Sequence, residues 1–119
     1  MKLIHLDCTL RDGGYYNNWN FDTLLVEDYL NSMNDIKVDF VELGFRSLST
    51  DGFKGPYAHT TDDFIRTLKI PKGLKIGVMA NASDLFSNNL SPLENAKKLF
   101  NPKKLSPVSL VRFACHGHE

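Results

Sequence analysis

The chain has 119 residues, and its 14 Lys plus Arg are balanced by 14 Asp plus Glu, so the formal net charge is zero. That length suffices for one domain with its own core. The balance excludes the basic stripe of a nucleic-acid binder and the basic helix of a membrane-surface protein. No apolar run approaches the roughly 20 residues that span a bilayer, and residues 1–5 lack the apolar stretch and cleavage site of a signal peptide. Cys8 and Cys115 lie far apart without CxxC spacing. They read as free thiols in a reducing, cytoplasmic setting.

The first predicted strand covers residues 2–10. Side chains alternate along a strand, which places Ile4, Leu6, Cys8 and Leu10 on an apolar face and His5, Asp7, Thr9 and Arg11 on a polar one. His5, low on this strand, is expected to be a hydrogen-bonded core residue. Gly13 and Gly14 follow as a turn that tolerates positive φ, and residues 15–19 form a loop. Asp22 or Thr23 then caps a helix whose Val26, Tyr29, Leu30 and Met33 recur at helical spacing. A second strand is predicted at 39–45. Thr61-Asp62-Asp63 opens a helix through Phe64, Ile65 and Leu68 that stops before Pro71 and Gly73. A third strand spans 74–80. Ser91-Pro92-Leu93-Glu94 is a capping box with proline at the first helical position, and its helix stops before Pro102. A fourth strand spans 108–115.

The resulting βαβαβαβ order implies a parallel sheet with right-handed crossovers. Strand starts at Leu3, Asp39, Leu74 and Val108 are spaced 36, 35 and 34 residues apart. A small open doubly wound sheet and half of a (β/α)8 barrel both satisfy this order. An open sheet covered by helices is apolar on both faces. Here each strand carries polar residues of one parity: Asp7 and Arg11, Glu42 and Arg46, Lys75 and Asn81, Arg112 and His116. The even spacing and this polar face favour the barrel, whose complete form needs about 250 residues. Residues 1–119 are therefore expected to be the N-terminal half of a barrel domain. Its first and fourth strands would be open edges, ready templates for self-association.

The stretch Asp7-Cys8-Thr9-Leu10-Arg11-Asp12-Gly13, followed by Phe40-Val41-Glu42-Leu43-Gly44-Phe45, resembles the opening of the HMG-CoA lyase-like metal-dependent lyases and aldolases, also called DRE-TIM metallolyases, which include 4-hydroxy-2-oxovalerate aldolases. The resemblance covers essentially the whole chain but only half of the family's barrel. It implies carbon–carbon bond cleavage or formation on a 2-oxo acid or an acyl-CoA, through an enolate. It assigns Asp12 as a ligand for Mg²⁺ or Mn²⁺, a hard oxygen donor, and Arg11 as the group that stabilises the enolate oxygen. Glu42 corresponds to a strand-two carboxylate that positions substrate or handles protons. Tyr15, Arg46 and His116 are candidate substrate contacts.

This chain departs from the family's patterns at defined places. Tyr15 stands where oxovalerate-type aldolases carry a proton-transferring histidine. The acyl-transferring synthases usually read R-D-G-x-Q, and Gly14-Tyr15 occupies those positions here. The family's strand-seven H-x-H pair of metal ligands has no counterpart on a seventh strand. His116-Gly117-His118 has that spacing but falls at strand four and reads as rim loop. The 119 residues alone are thus expected to lack part of the site. Two rival readings are an acyl-CoA-condensing synthase of the same superfamily and a non-catalytic α/β module.

Overall fold

A computed structural model describes residues 2–49, 52 and 54–115. Four parallel strands form one sheet in the order β1 (Leu6–Asp7), β2 (Phe40–Phe45), β3 (Lys75–Asn81) and β4 (Val108–Ala114). Between them lie α1 (Thr9–Asn17), α2 (Thr23–Asp35), α3 (Asp62–Arg66) and α4 (Pro92–Leu99), with short 3₁₀ turns. The alternating half-barrel architecture is the one expected. Strands β1 and β4 each have one sheet neighbour among the described residues. No described helix is long and apolar enough to cross a membrane.

The local signals for the helices act as anticipated. The Asp22 carboxylate accepts from the Leu25 N–H at the start of α2. Val26 and Leu30 on that helix are fully buried, with Tyr29 and Met33 packed beside them. The Thr61 hydroxyl caps α3, and Ser91 with Glu94 closes both halves of the capping box on α4. Val41, Leu43, Val78, Ile65 and Tyr57 complete the solvent-free centre of the core.

The start of the chain differs from expectation. Only Leu6–Asp7 joins the sheet, and helix α1 begins at Thr9 within the predicted strand. The Asp7 carboxylate explains the switch. It accepts both the backbone N–H and the hydroxyl of Thr9, satisfying a donor that a starting helix leaves open. Its other contact is the Tyr29 hydroxyl on α2. Burial and that carboxylate push the Tyr29 phenol up to about 12. Residues 2–5 form neither strand nor helix, and Leu3 and Ile4 are exposed. His5 is exposed as well, rather than a core residue. Its backbone N–H donates to the Asp39 carboxylate and its carbonyl accepts from Asp39 and Phe40.

Gly13 and Gly14 are helical, not a turn with positive φ. What Gly14 provides is room. A Cβ there would lie 1.9 Å from the Trp19 ring. Asn18 and Trp19 adopt the left-handed region, φ 57° and 62°. This sharp reversal ends α1, satisfies the Gly14 carbonyl with the Trp19 N–H at 3.0 Å, and folds the indole back over the helix.

Arg46, just past β2, also differs from expectation. Between Glu42 and Phe45 the β2–β3 register slips: Glu42 pairs with Gly77, but Phe45 pairs with Met79. Three steps on β2 thus match two on β3, the geometry of a bulge. Phe45 therefore takes the face that Glu42 occupies, and Arg46 turns to the other. There Arg46 is buried and donates to the carbonyls of Thr60 and Leu99 and to Asp62, stacked over Phe100.

Two consequences are measurable. Gly14→Ala must displace Trp19, so it should cost about 1–3 kcal/mol in denaturant unfolding and shift the tryptophan emission. Burial pushes the Asp62 carboxyl up, but hydrogen bonds from Asn101, Arg46 and Ser106 outweigh it and hold it below its ordinary value. Its contribution to stability is complete above about pH 4 and is lost as pH falls through the lower folded value. Asp62→Asn should therefore flatten the fall in unfolding free energy as pH drops below about 4.

Candidate active site

At the C-terminal end of β1, the first turn of α1 carries Arg11 and Asp12 to the rim of the sheet. Glu42, in the middle of β2, is fully buried. Two arginines from distant segments converge on its carboxylate. Arg11 Nε donates to Oε1 at 3.0 Å. Arg112, from β4, donates Nε to Oε2 at 2.7 Å and Nη2 to Oε1 at 2.8 Å. This two-point grip is the strong geometry for guanidinium and carboxylate. Arg112 crosses β3 to reach β2, and the β3 residue in register with Glu42 is Gly77. The absence of a side chain at that position leaves the path clear.

Arg11 faces two carboxylates. Its Nη1 lies 2.5 Å from Asp12 Oδ1 while its Nε holds Glu42. Burial lowers the Arg11 pKa, but the hydrogen bond to Glu42 and the charges of Asp12 and Glu42 outweigh this and raise it. Arg112 is likewise raised, chiefly by its hydrogen bond to Glu42. Both guanidiniums are thus fixed cations. The Arg11 side chain is 16% exposed and that of Asp12 59%. The pair therefore runs from an anchored cation to a solvent-facing anion. Among the described residues, Arg11 Nη2 makes no hydrogen bond and is open to a further acceptor.

Asp12 is a hard oxygen donor at the rim. Its Oδ2 takes, among the described residues, only a long contact from the Cys8 thiol, at 3.8 Å. Among the described residues, no cluster of three His, Cys, Asp or Glu could by itself hold a metal ion. Asp12 is thus a single hard oxygen donor among the described residues, fewer than the several oxygens a Mg²⁺ or Mn²⁺ ion takes. His116 and the His116-Gly117-His118 spacing lie outside the described residues.

Tyr15 lies one helical turn beyond Arg11, on α1 rather than in a loop. It meets Trp19 and Phe45 edge-on. Arg46 does not join this group. Its donors are spent on Thr60, Leu99 and Asp62, and the bulge that turned it away delivered Phe45 instead. The sequence pattern gave no sign of Phe45, because alternation assumes a regular strand. A larger cavity of about 490 Å³ lies beside Arg46, His59, Asp62, Lys98 and Phe100. It contains none of Arg11, Asp12 or Glu42.

No family model matches the chain, and no curated protein does. Among solved structures the chain is similar to the N-terminal domain of a putative aldolase from Bacteroides vulgatus, at 34% identity and a TM-score of 0.77. The fold is aldolase-like. The match covers 93% of this chain and 35% of that one, so the chain spans about a third of its neighbour's length.

Removing the Glu42 charge leaves two cations facing a neutral buried group. Glu42→Gln should cost about 3–5 kcal/mol in urea unfolding. Arg112→Met should cost less, because Arg11 still pairs the carboxylate.

Proposed function

We propose that this chain supplies part of the catalytic site of a metal-dependent carbon–carbon lyase or aldolase of the HMG-CoA lyase-like type, acting on a 2-oxo acid or an acyl-CoA. The observation that carries this reading is the arrangement of Arg11. A wholly buried Glu42 fixes its guanidinium at the sheet rim, while Asp12 stands beside it facing solvent. The likeness to an aldolase domain supports the general reaction class.

Retro-aldol cleavage breaks the bond between the carbinol carbon and the carbon next to the carbonyl. The hydroxyl loses its proton to water or to a base outside the described residues as an aldehyde or ketone departs, and the electron pair of the broken bond moves onto the carbonyl oxygen as an enolate. Arg11 donates a hydrogen bond to that oxygen as its charge grows. A donor fixed before the reaction stabilises developing charge without reorganising. Glu42 acts through Arg11 and not on the substrate, because both its oxygens are occupied by guanidinium donors. It is a positioning residue. Asp12 would be one ligand of Mg²⁺ or Mn²⁺, whose chemistry there is to polarise the carbonyl. Further ligands would come from outside the described residues. The open edges of β1 and β4 fit a chain that pairs with further strands or with a second copy of itself.

Calorimetric titration with Mn²⁺ should give saturable binding that Asp12→Ala abolishes. In the enzyme, Arg11→Ala should lower kcat by about 10²–10³-fold with the fold retained by circular dichroism. Binding that ignores Asp12, together with turnover that ignores Arg11, would point instead to a non-catalytic α/β module.

A further inference from the structure

We propose that Tyr15, Trp19 and Phe45 form a subsite that receives an aromatic or branched apolar group of a small anionic substrate. This rests on the reading of Arg11 and Asp12 as the reacting centre and names the substrate class that centre would serve. The three rings meet edge-to-face. Centroids are 4.8 Å apart for Tyr15–Trp19, 5.3 Å for Trp19–Phe45 and 6.1 Å for Tyr15–Phe45, with interplanar angles of 65°, 85° and 77°. Together with Ala58 they wall a cavity of about 290 Å³, which Lys54 and Asn81 also line. Aromatic pairs favour this edge-to-face geometry; Trp19 and Phe45 are buried in it, and Tyr15 is the ring left largely exposed.

The subsite is built rather than incidental. Trp19 rests on Gly14, where any Cβ would collide with the indole. The Gly55 N–H donates to the Asn18 carbonyl at 2.6 Å and the Tyr57 N–H to the Trp19 carbonyl at 3.1 Å, so the loop after β2 clamps the reversal. Phe45 reaches the cup only because of the β2 bulge. Tyr15 follows Arg11 by four residues on one helix, a spacing that places side chains about 5–6 Å apart at Cβ. Tyr15 thus ties the cup to Arg11 along α1, while the guanidinium itself does not line the cavity.

Size and charge restrict the occupant. A volume of about 290 Å³ lies at the lower end of small-molecule sites, enough for a phenyl or branched alkyl group. Among the described residues, Lys54 is the one charged residue in the lining, and no described carboxylate lines it. The cup thus selects an apolar group on a molecule of net negative charge. A small oxo acid with an aryl or branched substituent meets both conditions.

The chain has one tryptophan, so Trp19 emission reports the subsite directly. Titration with 3-phenylpropanoate, a non-reacting probe, should change that emission saturably, at least about tenfold more tightly than propanoate. A benzyl-sized apolar group is worth that factor or more on burial. Tyr15→Ala, at an exposed position that leaves the core intact, should weaken the probe at least fivefold, and Lys54→Ala should weaken it less for 3-phenylpropan-1-ol than for the acid. Equal response to propanoate, or an unchanged response in Tyr15→Ala, overturns the proposal. Asp12→Ala keeps the two readings apart: it should abolish Mn²⁺ binding while leaving probe affinity unchanged. Loss of probe affinity in Asp12→Ala would also overturn an independent subsite.

Discussion

Glu42 is a carboxylate sealed from solvent in the middle of a parallel sheet, and the arrangement at the rim depends on how its charge is answered. An unpaired charge there would be prohibitively costly. Two arginines from opposite ends of the sheet answer it: Arg11 above β1 and Arg112 on β4. The three groups bind the first, second and last strands into one electrostatic unit. That unit fixes the orientation of a guanidinium that also reaches Asp12 at the surface. Burial energy thus becomes positional accuracy at the edge of the sheet.

Much of the framework was legible from local chemistry. Caps at Asp22, Thr61 and Ser91 involve contacts within three residues, so the sequence alone carries them. Strands β2, β3 and β4 stand within a residue of their expected bounds because each is a β-branched or aromatic run between breakers. The polar parity that suggested a barrel did bring Glu42 and Arg112 together across β3, and the Asp-x-Thr-Leu-Arg-Asp-Gly run did place Arg11 beside them. Partners that lie far apart in sequence come within reach when strands share a face.

The misreadings share one cause, the competition between regular periodicity and a long-range or capping contact. Residues 2–10 alternate as a strand should, yet Asp7 captures Thr9 and starts a helix instead. Gly13 and Gly14 suggest a turn, but the need at Gly14 is to make space for an indole five residues on. Arg46 shares parity with Glu42 on paper, and one extra residue in β2 reverses it. None of these follows from counting along the chain, because each depends on a neighbour that only the folded molecule supplies.

The bulge has an implication for divergence. A regular strand would offer the cation of Arg46 on the face where Phe45 now stands, and Phe45 would be turned outward in its place. Gly44 sustains the irregular path, since a Cβ there would strike the Tyr57 carbonyl at 2.1 Å and loosen the packing that holds it. Gain or loss of a single residue in this segment would therefore exchange an aromatic wall for a charged one in one genetic step. Ligand preference could then be rewritten by an indel, while the arginine–glutamate frame beneath it stayed the same.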